Sequence, residues 1–258
     1  MKSDHEVLID NEKCIGCGLC EKDCPTYNIQ VKNEKAVLCG IMCLKCGHCA
    51  AVCPKNAIEL TGFDETPVPV SEKDTLNSDE LLRAIKARRS IRHFKDTPIE
   101  RGKLDKIIEA GRYTPSGGNS QGVSYILITK DIPSVEEKAV AFLRPLKNVG
   151  GVFSKTIREF KMGSHFYFNG APAVIVVVCR NKVDGALAAS NMELMAQAQG
   201  LGVLYSGLFS IAASLSHSVR RAAGLKRGEK VVTTLVIGYP DVKYFRTVQK
   251  EHAAVREI

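Results

Sequence analysis

A chain of 258 residues with 45% apolar and 25% charged residues has the make-up of an ordinary folded protein, one large domain or two small ones. No apolar run reaches the roughly 18 residues that crossing a bilayer requires, and MKSDHEVLIDNEK at the start lacks the apolar centre of a secretory leader. Membrane and secreted classes are set aside, and a cytoplasmic location is expected. The net charge of +8 is uneven: residues 1–62 hold seven Lys, no Arg and eight acids, so the excess lies in the remainder. A basic domain suits nucleic acid, an acidic protein or a phosphorylated cofactor. No nucleic-acid motif accompanies it.

Nine of the ten cysteines lie between positions 14 and 53. A cytoplasmic compartment keeps thiols reduced, so this density asks for metal. CIGCGLCEKDCP runs from Cys14 to Pro25, and CLKCGHCAAVCP, 29 residues on, from Cys43 to Pro54. Each reads C-x2-C-x2-C-x3-C-P, the bacterial iron–sulfur spacing, in which the fourth cysteine of each run serves the other cluster. One [4Fe–4S] cluster then takes Cys14, Cys17, Cys20 and Cys53, and the other Cys43, Cys46, Cys49 and Cys24. Gly18 matches Gly47, Pro25 matches Pro54 and Ile29 matches Ile58, which predicts two halves about a pseudo-twofold axis, with the isoleucines against the clusters. Two zinc sites are the alternative, but zinc pairs C-x2-4-C knuckles with a second, distant pair. Residues 1–62 resemble a two-cluster bacterial ferredoxin. Cys39 is expected to pack rather than ligate, and Cys179 to sit in a core.

After Leu60 the composition changes. TGFDETPVPVSEKDTLNSD, with Pro67 and Pro69, predicts an extended spacer. The division expected is 1–62, a linker over 63–78, and 79–258. SDELLRAIKARRS predicts a helix capped by Ser78 with Leu81, Leu82 and Ile85 on one face. KLDKIIEAG predicts a helix closed by Gly111, and VSYILITK a strand. SVEEKAVAFLRPL carries a Ser134/Glu137 capping box. PAVIVVVC predicts a buried strand, VDGALAASNMELMAQAQGLG a long helix, SLSHSVRRAAG another, and KVVTTLVIG a last strand. The layout is α+β, helices around a central mixed sheet. GLGVLY begins like a dinucleotide fingerprint, but Tyr205 replaces the final glycine at a helix end, so a Rossmann site is not expected.

Three segments look chemical. RRSIRHF (Arg88 to Phe94) clusters cations that can clamp a phosphate, or simply solvate a helix end. TPSGGNSQ (Thr114 to Gln121) is a loop able to approach a ligand closely, or an ordinary turn. YSGLF at Tyr205, followed by GYPDVKYFR, supplies backbone N–H groups and basic residues.

In this order the three resemble the nitroreductase family of FMN flavoproteins over about residues 88–246. The resemblance implies that Arg88, Arg89, Ser90 and Arg92 serve the phosphate, ribityl chain and pyrimidine edge of FMN. It implies Pro115, Ser116, Asn119 and Gln121 around the isoalloxazine, Ser206, Gly207 and Leu208 near its N5 and O4, and Arg246 at the phosphate, with Lys243 secondary. It also implies a homodimer with FMN at the interface, where Phe166 to Phe168 wall the partner's pocket or form core. Gly122 and Val123 replace the Pro-Trp common in that loop, and Ser206 stands where many members are acidic.

Joined, the two halves imply a converter: single electrons pass through two [4Fe–4S] clusters to FMN, which reduces a nitroaromatic or similar small electrophile two electrons at a time. The protein orients and tunes the flavin, so no catalytic side chain is nominated. The donor expected is a reduced ferredoxin or flavodoxin, or NAD(P)H. Flavin or quinone reduction, reductive dehalogenation, and an electron carrier or adaptor with no organic substrate are the competing readings.

Overall fold

The computed structural model describes residues 5–153, 155–159, 162–163 and 165–258, so the start of the segment read for a leader lies outside the described residues. The chain divides into two compact units. One is Met1–Thr75 with Gly117–Ser120; the other is Leu76–Ser116 with Gln121–Ile258.

The first unit contains β1 (Val7–Ile9), α1 (Leu19–Lys22), β2 (Ile29–Lys32), β3 (Lys35–Leu38), α2 (His48–Ala51) and β4 (Ile58–Leu60). β1 pairs antiparallel with β4, and β2 with β3. The 29-residue repeat is visible in the register. Ile29 opposite Leu38 corresponds to Ile58 opposite Ile9, and Val31 opposite Ala36 to Leu60 opposite Val7. Each short helix follows a left-handed glycine, Gly18 at φ 76° and Gly47 at φ 77°. A small core joins Cys14, Cys20, Ile29, Ala36, Ala57 and Ile58.

The second unit opens with α3 (Ser78–Ala87) and α4 (Arg101–Arg112), then β5 (Ser124–Ile128), α5 (Ile132–Phe153) and α6 (Lys155–Glu159). It continues with β6 (Ala173–Val178), α7 (Lys182–Ala198), β7 (Gly202–Tyr205), α8 (Gly207–Leu215), α9 (His217–Ala222) and β8 (Val231–Gly238). The sheet order is β5-β6-β8-β7, with every ladder antiparallel. A parallel bridge between Ser90 and Val203 makes it mixed. Both faces are covered: Val174, Val176 and Val178 pack with residues of α5, α8 and α9, whereas Ile175 and Val177 pack with α4 and α7. This is why β6 reads as an unbroken apolar run rather than an alternation. No helix among the described residues is long and apolar enough to cross a membrane.

Several local expectations are corrected. The cap of α3 is Asn77, whose side chain accepts from the Glu80 N–H at 3.0 Å, not Ser78. Leu82 and Ile85 on that helix are exposed. Gly111 lies inside α4 rather than closing it, where a Cβ would stand 2.5 Å from the Tyr125 hydroxyl. α5 begins at Ile132, ahead of the Ser134/Glu137 pair, and runs on through Pro145. SLSHSVRRAAG breaks at Ser216, whose hydroxyl caps α9 by accepting from Val219 N–H at 3.4 Å.

Candidate functional site

Two voids in the first unit gather the cysteines. Cys14, Cys17, Cys20 and Cys53 line one, with Ile58 and Ala36. Cys24, Cys43, Cys46 and Cys49 line the other, with Ile29 and Val7. Each void thus draws three cysteines from one run and the fourth from the other. The chain folds this way locally because the proline after each fourth cysteine turns it into a strand. β2 and β4 then bring Ile29 and Ile58 back over the voids.

Backbone N–H groups point at the sulfurs. Ala36 donates to Cys14 Sγ, Asn28 to Cys24 Sγ, Lys45 to Cys43 Sγ and Ala57 to Cys53 Sγ, each at 3.3 Å. The Ala36 N–H draws the Cys14 thiol below its ordinary range, while burial pushes Cys49 up to about 11. Such N–H···S bonds are a main lever on the potential of an iron–sulfur group. Four thiols around each void, with N–H groups behind the sulfurs, form a donor set that fits an iron–sulfur group. Cys39 is half-buried and lines neither void; its N–H donates to the Asn28 carbonyl at 2.9 Å. Cys179 is buried at the end of β6, and no disulfide forms among the described residues.

In the second unit the segment after α3 crosses the edge of the sheet. Ile91 N–H donates to the Val203 carbonyl at 3.0 Å, and Lys95 N–H to that of Tyr239 at 2.8 Å. This approach needs a glycine at 202, because a Cβ there would lie 2.4 Å from Ile91. Arg88 pairs with Glu193 of α7 at 2.5 Å, and the Glu193 side chain is 7% exposed. Burial, then Glu193, hold the Tyr205 hydroxyl above its ordinary range. Arg89 gives one nitrogen to the Lys86 and Arg88 carbonyls, but its Nε and Nη2 are buried without a partner. An unpartnered buried guanidinium edge costs free energy unless an anion meets it.

Arg92 lines a cleft of about 640 Å³ with Leu204 to Leu208, His165, Phe166, Tyr167 and Asn169. That volume lies within the range of cofactor pockets, about 300–1,000 Å³. Ser206 is buried, and its N–H donates to the Thr234 carbonyl at 2.9 Å. Gly207 and Leu208 begin α8, so their N–H groups belong to the helix turn that lacks internal acceptors. The cleft wall is pinned from behind. Glu136 of α5, 1% exposed, accepts from the N–H groups of Tyr167 at 2.6 Å and Phe168 at 2.8 Å through one oxygen, Oε1. Phe168 is core, whereas Phe166 and Tyr167 also face the cleft.

The remaining sequence-predicted residues are spread more widely. Ser90 forms the parallel bridge to β7. Pro115, Ser116 and Gln121 flank the glycine loop, with Gln121 N–H donating to Ser116 Oγ at 2.9 Å. Asn119 groups with the first unit, where its amide donates to the carbonyls of Leu44 at 3.1 Å and Lys45 at 2.9 Å. Arg246 is exposed in the irregular C-terminal segment, and Lys243 lies over the Phe245 ring at 5.1 Å. Glu136 and Glu193 were not foreseen. Each lies in an otherwise ordinary helical pattern, and only tertiary contact gives it a role.

Comparison with known proteins finds two families in the chain. The 4Fe-4S dicluster domain matches residues 6–54, and the nitroreductase family matches residues 85–239. A component of the ion-translocating oxidoreductase complex of Methanosarcina acetivorans is 49% identical over 47 residues, 18% of this chain and 18% of its own length. The chain thus spans under a fifth of that relative. The FMN reductase [NAD(P)H] of Bacillus subtilis is 27% identical over 142 residues, 50% of this chain and 54% of its own. The crystal structure of a nitroreductase with bound FMN from Desulfitobacterium hafniense superposes with TM-score 0.57 at 22% identity, over 70% of this chain and all of its own. The chain belongs to the nitroreductase family and carries a 4Fe-4S dicluster ferredoxin domain at its N-terminus.

Proposed function

We propose that the protein is an FMN-dependent oxidoreductase fed by two [4Fe–4S] clusters and that it reduces nitroaromatic or similar electrophilic small molecules. The reading is carried by one observation: two four-cysteine voids with crossed ligand sets occur in the same chain as a nitroreductase fold. On this reading residues 1–62 are the electron-carrying part, 63–78 the spacer and 79–258 the flavin part. Cys14, Cys17, Cys20 and Cys53 hold one cluster, and Cys43, Cys46, Cys49 and Cys24 the other.

FMN supplies the exchange between single electrons and two-electron chemistry. The chain's own residues bind and orient it. The partnerless edge of Arg89 offers two donors to an anion, and Arg92, which lines the cleft with Phe166, offers a second cation. Arg88 is fixed by Glu193, so its contribution is positive potential and a rigid helix end rather than a free donor. The N–H groups of Gly207 and Leu208 fit an electron-rich ring edge, reinforced by the positive end of α8, while Ser206, whose own N–H is held by the Thr234 carbonyl, lines the cleft beside them. Ser90, Pro115, Ser116, Asn119, Gln121 and Arg246 complete the proposed flavin contacts. A homodimer in a reducing, cytoplasmic setting belongs to the same proposal, with a low-potential protein such as a reduced ferredoxin as donor.

The test is turnover. Anaerobically purified protein, supplied with a reduced ferredoxin, is expected to reduce a nitroaromatic without any further protein. Flavin that reduces fully yet passes nothing to any small acceptor would make the protein a carrier instead.

A further inference from the structure

We propose that Lys35 raises the reduction potential of one cluster, that of Cys14, Cys17, Cys20 and Cys53, and leaves the other untouched. The inference rests on the two-cluster reading above. The 29-residue register that equates β2–β3 with β4–β1 also equates Lys35 with Glu6 and Lys32 with Thr61. Lys32 faces Lys35 across the hairpin, and Thr61 N–H donates to the Glu6 carbonyl at 2.9 Å. A cation and an acid therefore occupy the same position in two halves that share one ladder register.

The cation is held in place. Lys35 Nζ donates to the Cys14 carbonyl at 2.7 Å, and the next residue, Ala36, donates its N–H to Cys14 Sγ at 3.3 Å. The hairpin turn that delivers Lys35 closes directly on the first cysteine loop. The Glu34 carbonyl would stand 2.4 Å from a Cβ at position 16, so Gly16, at φ 64°, is the residue that lets it close. In the other half position 45 carries the same left-handed backbone, φ 54°, but a lysine occupies it. β1 and β4 come from opposite ends of the unit's sequence, and no turn joins them there.

The other charges near the two voids do not single out one site. Lys55 lines the first void; Lys45 and His48 line the second, and His48 pairs with Asp23 at 3.3 Å. Lys55 also lacks a counterpart, since Thr26 stands at the matching position, but Lys35 is the cation held by a hydrogen bond on the backbone of one of the four cysteines. An added electron makes a cluster more negative, so a cation fixed beside a ligating cysteine favours the reduced form.

The test is a redox titration of the anaerobically purified full chain, followed by electron paramagnetic resonance, with the Lys35→Gln and Lys35→Arg variants alongside. Iron of about eight atoms per chain, two [4Fe–4S] clusters, checks the underlying reading separately; about half that in the unaltered chain would remove both. With iron in place, Lys35→Gln is expected to shift one of the two reduction steps about tenfold in its equilibrium, about 59 mV downward for one electron. The other step stays where it was, and Lys35→Arg leaves both near their original values. Two unmoved steps, equal movement of both, or an arginine variant that shifts as far as glutamine would overturn the proposal. So would loss of iron from the glutamine variant alone, which would make Lys35 a structural residue.

Discussion

Replacing Glu136 with alanine tests how the cleft wall is held. The carboxylate is 1% exposed and accepts from the N–H groups of Tyr167 and Phe168 at 2.6 and 2.8 Å. Its removal leaves two buried donors without an acceptor, at about 1–3 kcal/mol each. A loss of about 2–6 kcal/mol follows, or roughly 4–24 °C in melting temperature for a unit of this size. Both bonds end on one oxygen, so Glu136→Gln retains the acceptor and is expected to stay within about 1 kcal/mol of the parent. The pH dependence separates the two further. Burial, opposed by the two N–H groups and by His165, holds the Glu136 carboxyl above its ordinary 4.5. The folded state therefore holds the proton more tightly than the unfolded chain. The stability this gives is present below pH 4.5 and is lost as pH rises through the raised value. Glu136→Gln should abolish that slope. Urea unfolding followed by far-ultraviolet circular dichroism, between pH 4 and 8, reads all three quantities. An alanine variant as stable as the parent, or a glutamine variant as damaged as alanine, would refute the account of the wall.

Three other outcomes are expected. Cys14→Ala should lose about half the iron yet keep flavin, measured by metal analysis and absorbance; simultaneous loss of flavin would contradict separate sites. Arg89→Ala should weaken FMN about ten- to a hundredfold by fluorescence titration, the range of one or two charge-assisted bonds. Its stability should change little, because the lost bonds were to backbone carbonyls; unaltered affinity would remove Arg89 from the phosphate site. Gly16→Ala places a Cβ against the Glu34 carbonyl on a left-handed backbone, so it should lower iron content and loosen the first unit, read by hydrogen exchange, whereas Gly18→Ala has open space and should cost less.

The parts legible in the sequence were those whose chemistry is local. Four cysteines at fixed steps, each run closed by proline, dictate which sulfurs can meet, and the voids gather the two crossed sets read from spacing. The long helix at α7 and the apolar run of β6 were likewise plain, because burial imposes an unbroken pattern. What escaped depends on distant partners. β7 lay inside a segment weighed only as a glycine motif, and it becomes a strand through its ladder with β8. Asn77 took the cap from Ser78 because its side chain, one residue earlier, reaches the Glu80 N–H. Gly111 looked like a helix stop, but its missing side chain makes room for Tyr125 and Met192. Glu136 sits among ordinary helix formers, and nothing nearby in sequence marks it as the anchor of residues 31 and 32 positions away.

The central claim is that electrons reach the flavin through the clusters. An anaerobic titration with a reduced ferredoxin, NADH and NADPH in turn, following the iron–sulfur and flavin bands together, tests it most directly. The account predicts that the ferredoxin bleaches both sets of bands and that neither nicotinamide reduces the flavin efficiently. Direct reduction of the flavin by a nicotinamide, with the iron–sulfur bands unchanged, would contradict it.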